Sequence, residues 1–249
     1  MSSRKATYAV TLLAIFNLTT AAPTASCTSG SALDLSKWKL QLPIGSPGSP
    51  TTITSSQLCS GYQDPAKAYF FTESGGALVM KVPGSPSDTG CVTTKNSKHC
   101  RTELRESNPN SWDPKAATNK LSATLTVVTA DDSKYGTVVG QIHIDDSISS
   151  KPVCELYYSK SGKLTMGVEK TRAGGSSVYT EVGNVPVGTK FSYAITYQGG
   201  KLGVSINGGA VKGLSQNELD NPNSYFKAGN YNQGNSPSVV KFFEIKTQH

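Results

Sequence analysis

Three short stretches of the chain hold side chains that can move protons and neutralise negative charge. Residues 141–145 read Gln141, Ile142, His143, Ile144, Asp145, alternating polar and apolar without exception. Residues 101–105 read Arg101, Thr102, Glu103, Leu104, Arg105, and residues 225–233 read "YFKAGNYNQ". In a β-strand, residues i, i+2 and i+4 share one face. The first stretch then presents an amide, an imidazole and a carboxylate, and the second presents Arg101, Glu103 and Arg105. The third presents Tyr225, Lys227, Gly229, Tyr231 and Gln233. An imidazole, unperturbed at ~6.5, serves as a base near neutrality, and a phenol, at ~10, holds a proton to donate. Guanidinium and amide groups are fixed donors for an oxyanion that develops during reaction.

Taken singly, each stretch has an ordinary explanation: a solvated sheet face with ion pairs, a hydrogen-bonded structural histidine, a packing tyrosine. Side by side, they predict a groove floor of Arg, Gln, His, Lys and Tyr suited to a polyanion. The other two of the 3 histidines, His99 in a cysteine-flanked loop and His249 at the last position, are assigned no role.

Such a floor needs a sheet, and the sequence around it is built of strands. Short alternating or β-branched runs, among them "ALVMKV", "KLSATLTVVTA", "TVVGQIHI", "CELYYS", "KFSYAITYQ" and "VVKFFEIK", are separated by Gly, Pro, Asn, Asp and Ser. Their density predicts an all-β fold, an antiparallel sandwich or jelly roll. "TYQGGKLGVSINGGA" reads as hairpins turning at Gly-Gly and Asn-Gly. "ALDLSKW" and "SQNELDN" are expected to form a helical turn or two, and region 44–68 a long surface loop.

The 249 residues fit one domain. Residues 1–26 read as a signal peptide and short leader: a basic start, an apolar run too short to span a bilayer, then small residues with cleavage near Ala21 or Ala22. The remainder, 27–249, is expected to be a single secreted domain, monomeric, with neither a nucleic-acid nor a membrane partner. Losing Arg4 and Lys5 lowers the formal charge of +7 by two and leaves the protein basic, which favours acidic partners. In an oxidising compartment cysteines pair. Cys91 and Cys100 flank a short loop and are expected to be bridged, Cys27 and Cys59 form a second pair, and Cys154 is left as a buried thiol.

The combination "RTELRE", "QIHID" and "YFKAGNYNQ" resembles the alginate lyase family of β-jelly-roll polysaccharide lyases. "LDLSKWKLQLPIG" and "VVKFFEIK" extend the resemblance over about residues 31 to 249. The resemblance implies a concave sheet forming the substrate groove and β-elimination of a 1,4-linked polyuronate. It also implies that Arg101, Gln141, His143 and Tyr231 are catalytic. Elimination removes the proton on carbon 5 of a uronate, beside its carboxylate. Arg101 and Gln141 would neutralise that carboxylate, with Arg105 as the alternative arginine. His143 would be the base, and Tyr231 the acid that protonates the departing oxygen on carbon 4. On guluronate the two divide the work; on mannuronate Tyr231 could do both. Tyr225, Lys227, Asn232 and Gln233 are expected to bind substrate, and Glu103 to orient the arginines. No metal or organic cofactor is required. Three rivals remain: a glycoside hydrolase using two carboxylates about 5–9 Å apart, for which Glu103 with Glu155 or Glu244 could serve though no motif picks a pair, a lyase for another polyuronate such as glucuronan, and a non-catalytic polysaccharide-binding module.

Overall fold

The computed structural model describes Cys27 and residues 32–249; the expected leader lies outside the described residues. In chain order the strands are β1 (Trp38–Ser46), β2 (Ser49–Ile53), β3 (Phe70–Thr72), β4 (Leu78–Val82), β5 (Arg101–Glu106), β6 (Lys120–Thr129), β7 (Thr137–Ile144) and β8 (Pro152–Tyr158). They continue as β9 (Lys163–Glu169), β10 (Ser177–Asn184), β11 (Lys190–Gln198), β12 (Lys201–Ile206), β13 (Lys212–Leu214), β14 (Ser224–Tyr231) and β15 (Ser238–Gln248). Two antiparallel sheets result. One has 8 strands in the order β10-β9-β8-β7-β14-β5-β1-β2, the other 7 in the order β13-β12-β11-β6-β15-β4-β3. This is the jelly-roll sandwich.

The alternation in the three polar stretches decides which way they face. Leu104, Ile142, Ile144, Phe226 and Ala228 are all 0% exposed, sealed between the sheets with Phe242 and Tyr193. Each of the leucine, isoleucine and phenylalanine side chains contributes about 1.5–3 kcal/mol relative to exposure, so a register slip that turned these strands over is strongly disfavoured. Two glycines permit close approaches. A Cβ on Gly140 would lie 2.5 Å from the Tyr193 hydroxyl, which crosses the core to donate to the Val139 carbonyl at 2.9 Å. A Cβ on Gly229 would lie 2.6 Å from Glu103 Cα and 2.7 Å from the Thr102 carbonyl oxygen.

Two expectations of local structure are corrected. The segments "ALDLSKW" and "SQNELDN" hold no helix among their described residues; the helices of the described residues are α1 (Ser55–Cys59) and α2 (Pro86–Thr89). Region 44–68 is not a long loop. It contains the end of β1, the β1–β2 hairpin and α1, which starts at a capping box formed by Thr54 and Gln57. That polar Ser/Thr-rich composition belongs to a helix cap and an edge strand. Gly199 and Gly200 do form a two-residue turn between β11 and β12, both with positive φ (55° and 70°).

Cys91 pairs with Cys100 and Cys27 with Cys59. Cys154 is a free thiol facing the core, pushed up to about 12 by burial. His249 is not idle: its ring bonds the wholly buried Glu106 at 2.8 Å and Asn119 at 2.9 Å. Glu106 also accepts from Trp112 Nε1 at 3.0 Å and the Phe226 backbone N–H at 3.1 Å, tying β5 to β14 from behind.

Candidate active site

The three polar stretches meet in one place. β14 lies between β7 and β5. Its register sets Tyr225 opposite His143, Lys227 opposite both Gln141 and Arg105, Gly229 opposite Glu103, and Tyr231 opposite Arg101. Side chains on the outward face of these strands line a cleft of about 680 Å³ that reaches from Lys39 and Gln41 on β1 to Glu155 on β8. His143 and Tyr231 stand on either side of Lys227 along this floor, with a bulge in β14 between Ala228 and Tyr231.

The centre of the floor is a buried carboxylate. Glu103 is 1% exposed, and its oxygens are met by Arg101 Nη1 at 3.1 Å, Lys227 Nζ at 2.5 Å and the Gln141 amide. Burial alone would protonate it, but Lys227 and Arg101 outweigh that cost and hold the carboxyl below the usual carboxylate range. Lys227 bears the complementary stress: burial and neighbouring Arg101, only partly offset by Glu103, bring it down to about 8. Two buried cations share one buried anion, so the cluster keeps a surplus positive charge under the cleft. An unpaired charge there is costly, and an anionic ligand relieves it.

On one side, His143 stacks on Tyr225, ring centroids 5.0 Å apart. Burial and the charge of Lys227 lower its pKa to about 4, so the imidazole is neutral across the physiological range. Its Nδ1 lies 2.8 Å from the Ile144 carbonyl oxygen. A carbonyl only accepts, so Nδ1 carries the hydrogen and Nε2 carries the free lone pair. The neutral ring is thereby set in the tautomer of a base.

On the other side, the Arg101 guanidinium lies 3.6 Å from the centroid of the Tyr231 ring. The Tyr231 hydroxyl is 3.0 Å from Ser97 Oγ, and Arg101 Nη2 donates to the same oxygen at 3.1 Å. Ser97 belongs to the loop closed by Cys91 and Cys100.

Of the residues singled out in the sequence, Arg101, Glu103, Arg105, Gln141, His143, Tyr225, Lys227, Tyr231 and Gln233 all line this cleft. Asn232 does not. It is 0% exposed, donating to the Ser236 carbonyl at 2.8 Å and meeting Ser238 through its Oδ1, so it fastens the turn into β15. Asp145 also departs from its expected place. β7 ends at Ile144, and the Asp145 carboxylate caps Ser147 instead of continuing the floor. The carboxylate that does reach the floor is Asp146, 3.0 Å from Arg105 Nη2 and accepting from the Tyr225 hydroxyl at 2.9 Å. Strand alternation could not find it because it lies past the strand's end.

The sequence reading missed Ser97 altogether and raised Glu155 only as a hydrolase carboxylate. Glu155 pairs across from Gln141 and accepts from the Tyr157 hydroxyl; burial raises its carboxyl above the ordinary range. It sits in "CELYYS", whose alternation could have exposed it; Ser97 lies in a loop, where no periodicity exists. Among the described residues, no group of three or more His, Cys, Asp or Glu side chains is placed to hold a metal ion. None of the described helices is long and apolar enough to cross a membrane.

Comparison with known proteins gives this geometry a context. No curated protein sequence matches the chain. Among solved structures, an alginate lyase of Pseudomonas aeruginosa is 31% identical, with a TM-score of 0.73 over 87% of this chain and 99% of that one. The family 7 alginate lyase A1-II′, solved as a variant in complex with product, is 28% identical, with a TM-score of 0.72 over 87% of this chain and 96% of that one. An alginate lyase of a Corynebacterium species is 25% identical, with a TM-score of 0.71 over 88% and 96%. A family model described as alginate lyase matches residues 33–249, the whole sandwich and every strand of the cleft, so the chain belongs to the alginate lyase family.

Proposed function

We propose that this alginate lyase cuts its polymer internally by β-elimination in the cleft over β5, β14 and β7. The observation that carries the reading is the Glu103 cluster: two buried cations on one buried anion, beneath a neutral imidazole and a phenol. A uronate carboxylate entering the cleft would be met by Arg101, Gln141 and Lys227, which stabilise the enolate-like charge as it develops. Nε2 of His143 takes the proton from carbon 5. The released electron pair forms the double bond between carbons 4 and 5 as the bond from carbon 4 to the glycosidic oxygen breaks. Tyr231 gives its proton to that departing oxygen. A solved relative holding substrate is one in which a histidine and a tyrosine are both replaced, which fits a reaction needing both groups.

The hydrolase alternative keeps Glu155 as an acid but loses the second carboxylate that it needs. Glu103 is locked between two cations, and Glu244 lies on β15 in the other sheet. The cleft crosses the sheet from β1 to β8, which suits a threaded chain cut internally. Secretion fits the leader sequence and two disulfides. The test is incubation with purified guluronate blocks, mannuronate blocks and polyglucuronate, following ultraviolet absorbance, viscosity and product mass. Unsaturated oligomers from alginate blocks with an early fall in viscosity are expected. Saturated products, or polyglucuronate as the preferred substrate, would overturn the assignment.

A further inference from the structure

We infer that Ser97 is a positioning residue for Tyr231, supplying the hydrogen bond that the phenol oxygen needs once its proton has left. The inference rests on the elimination mechanism proposed above. Ser97 Oγ has two lone pairs and one proton. It accepts from Arg101 Nη2 at 3.1 Å and from the His99 backbone N–H at 3.2 Å, which fills both lone pairs. Tyr231, 3.0 Å away, therefore has no lone pair to donate into, and the contact works only with serine as donor. The phenolic proton is left free of Ser97 and available to the cleft. The serine proton has two acceptors in reach, the His99 carbonyl at 3.1 Å and the Tyr231 oxygen.

This gives a balanced account of the proton-donating step. Tyr231 passes its proton to the oxygen leaving carbon 4 and becomes a phenolate. The serine hydroxyl turns from the His99 carbonyl to that phenolate without transferring its proton. Hydrogen bonds to an ionised oxygen are roughly twice as strong as neutral ones, so the bond strengthens as the charge forms. Arg101 holds Ser97 Oγ from one side while its guanidinium covers the Tyr231 ring. The Cys91–Cys100 bridge and the turn from the Ser97 N–H to the Thr94 carbonyl, 3.0 Å, keep the loop in place.

The test compares Ser97→Thr with Ser97→Val, which match in shape and differ in the hydroxyl. Thr should keep kcat within about threefold of wild type. Val should lower kcat about tenfold or more, the size of one hydrogen bond to an ionised oxygen, with KM within about twofold. Ser97→Ala should follow Val, and melting temperatures distinguish any loss of folding. Equal kcat for Thr and Val, or a loss confined to KM, overturns the role of Ser97 while leaving the elimination mechanism standing. A wild-type protein that forms no unsaturated product would instead remove the mechanism itself.

Discussion

Twice along the cleft floor an arginine of β5 stacks on a tyrosine of β14, and the two pairs are anchored differently. Arg101 lies 3.6 Å over Tyr231 and Arg105 3.9 Å over Tyr225. Arg101 is 7% exposed and bound to Glu103, itself 1% exposed. Arg105 is bound to Asp146, whose side chain is 63% exposed. The phenols differ as well. Tyr225 donates to the Asp146 carboxylate, and burial with that negative neighbour pushes its pKa well above the ordinary phenol range. Tyr231 meets only a serine hydroxyl. The same residue types thus make one rigid pair with a transferable proton and one solvent-coupled pair whose proton is committed. A buried counterion fixes a guanidinium at little further reorganisation cost; an exposed one competes with water and salt.

This contrast is broken most directly at the tyrosines. Tyr231→Phe should lower elimination by about 10³-fold or more with binding retained, the scale of a lost general acid or base, while Tyr225→Phe should cost less than about tenfold. Similar losses in steady-state ultraviolet assays would erase the distinction. Next come the arginines. Arg101→Ala should reduce kcat by about 10²-fold or more, as for removal of an oxyanion donor. Arg105→Ala should act on KM by several-fold, and more weakly as salt rises; a kcat-dominated loss at Arg105 would exchange the roles.

A smaller, more selective effect is expected at His143. Its Ala variant should lose more activity on guluronate blocks than on mannuronate blocks, where Tyr231 could serve alone, and parallel losses would argue against a division of labour. The smallest effect is in the pH profile. Above about 4 the imidazole of His143 is unprotonated and able to accept, so activity should fall as pH drops through that value. Lys227 loses its charge as pH rises through about 8, weakening the grip on the substrate carboxylate. Lys227→Arg should move the alkaline limb upward, and an unmoved limb would show that another group sets it.

Much of this arrangement was legible because strands translate alternation into facing. Once "RTELR", "QIH" and "YFKAGNY" were read as strands, the common face of Arg101, Gln141, His143 and Tyr231 followed from a period of two. Neighbourhood was a different matter. That β14 lies between β5 and β7 comes from long-range pairing, which no local pattern encodes and which only the family resemblance anticipated. The period also fails where strands stop. Asp145 was placed on the floor by extrapolating one residue too far, and Ser97 and Asp146 sit in loops whose conformation depends on a disulfide and a turn. Asn232 is the reverse case: the period of two puts it on the inner face, where it lies buried, and it was offered as a substrate ligand against that alternation. The helix expected at "SQNELDN" failed because its polar residues serve turns, with Asn217, Asp220 and Asn221 all at positive φ.

Gly229 has the last consequence. Where any other residue would carry a carbon, the space belongs to the backbone of β5, 2.6 Å from where that carbon would be. The spacing between the strand that supplies Arg101 and Glu103 and the strand that supplies Lys227 and Tyr231 is therefore set by a single hydrogen atom. Saturation mutagenesis at this codon should return only glycine among active clones, although nothing ionisable is altered. The reach of every charged group in the cleft is governed from a position that has no side chain.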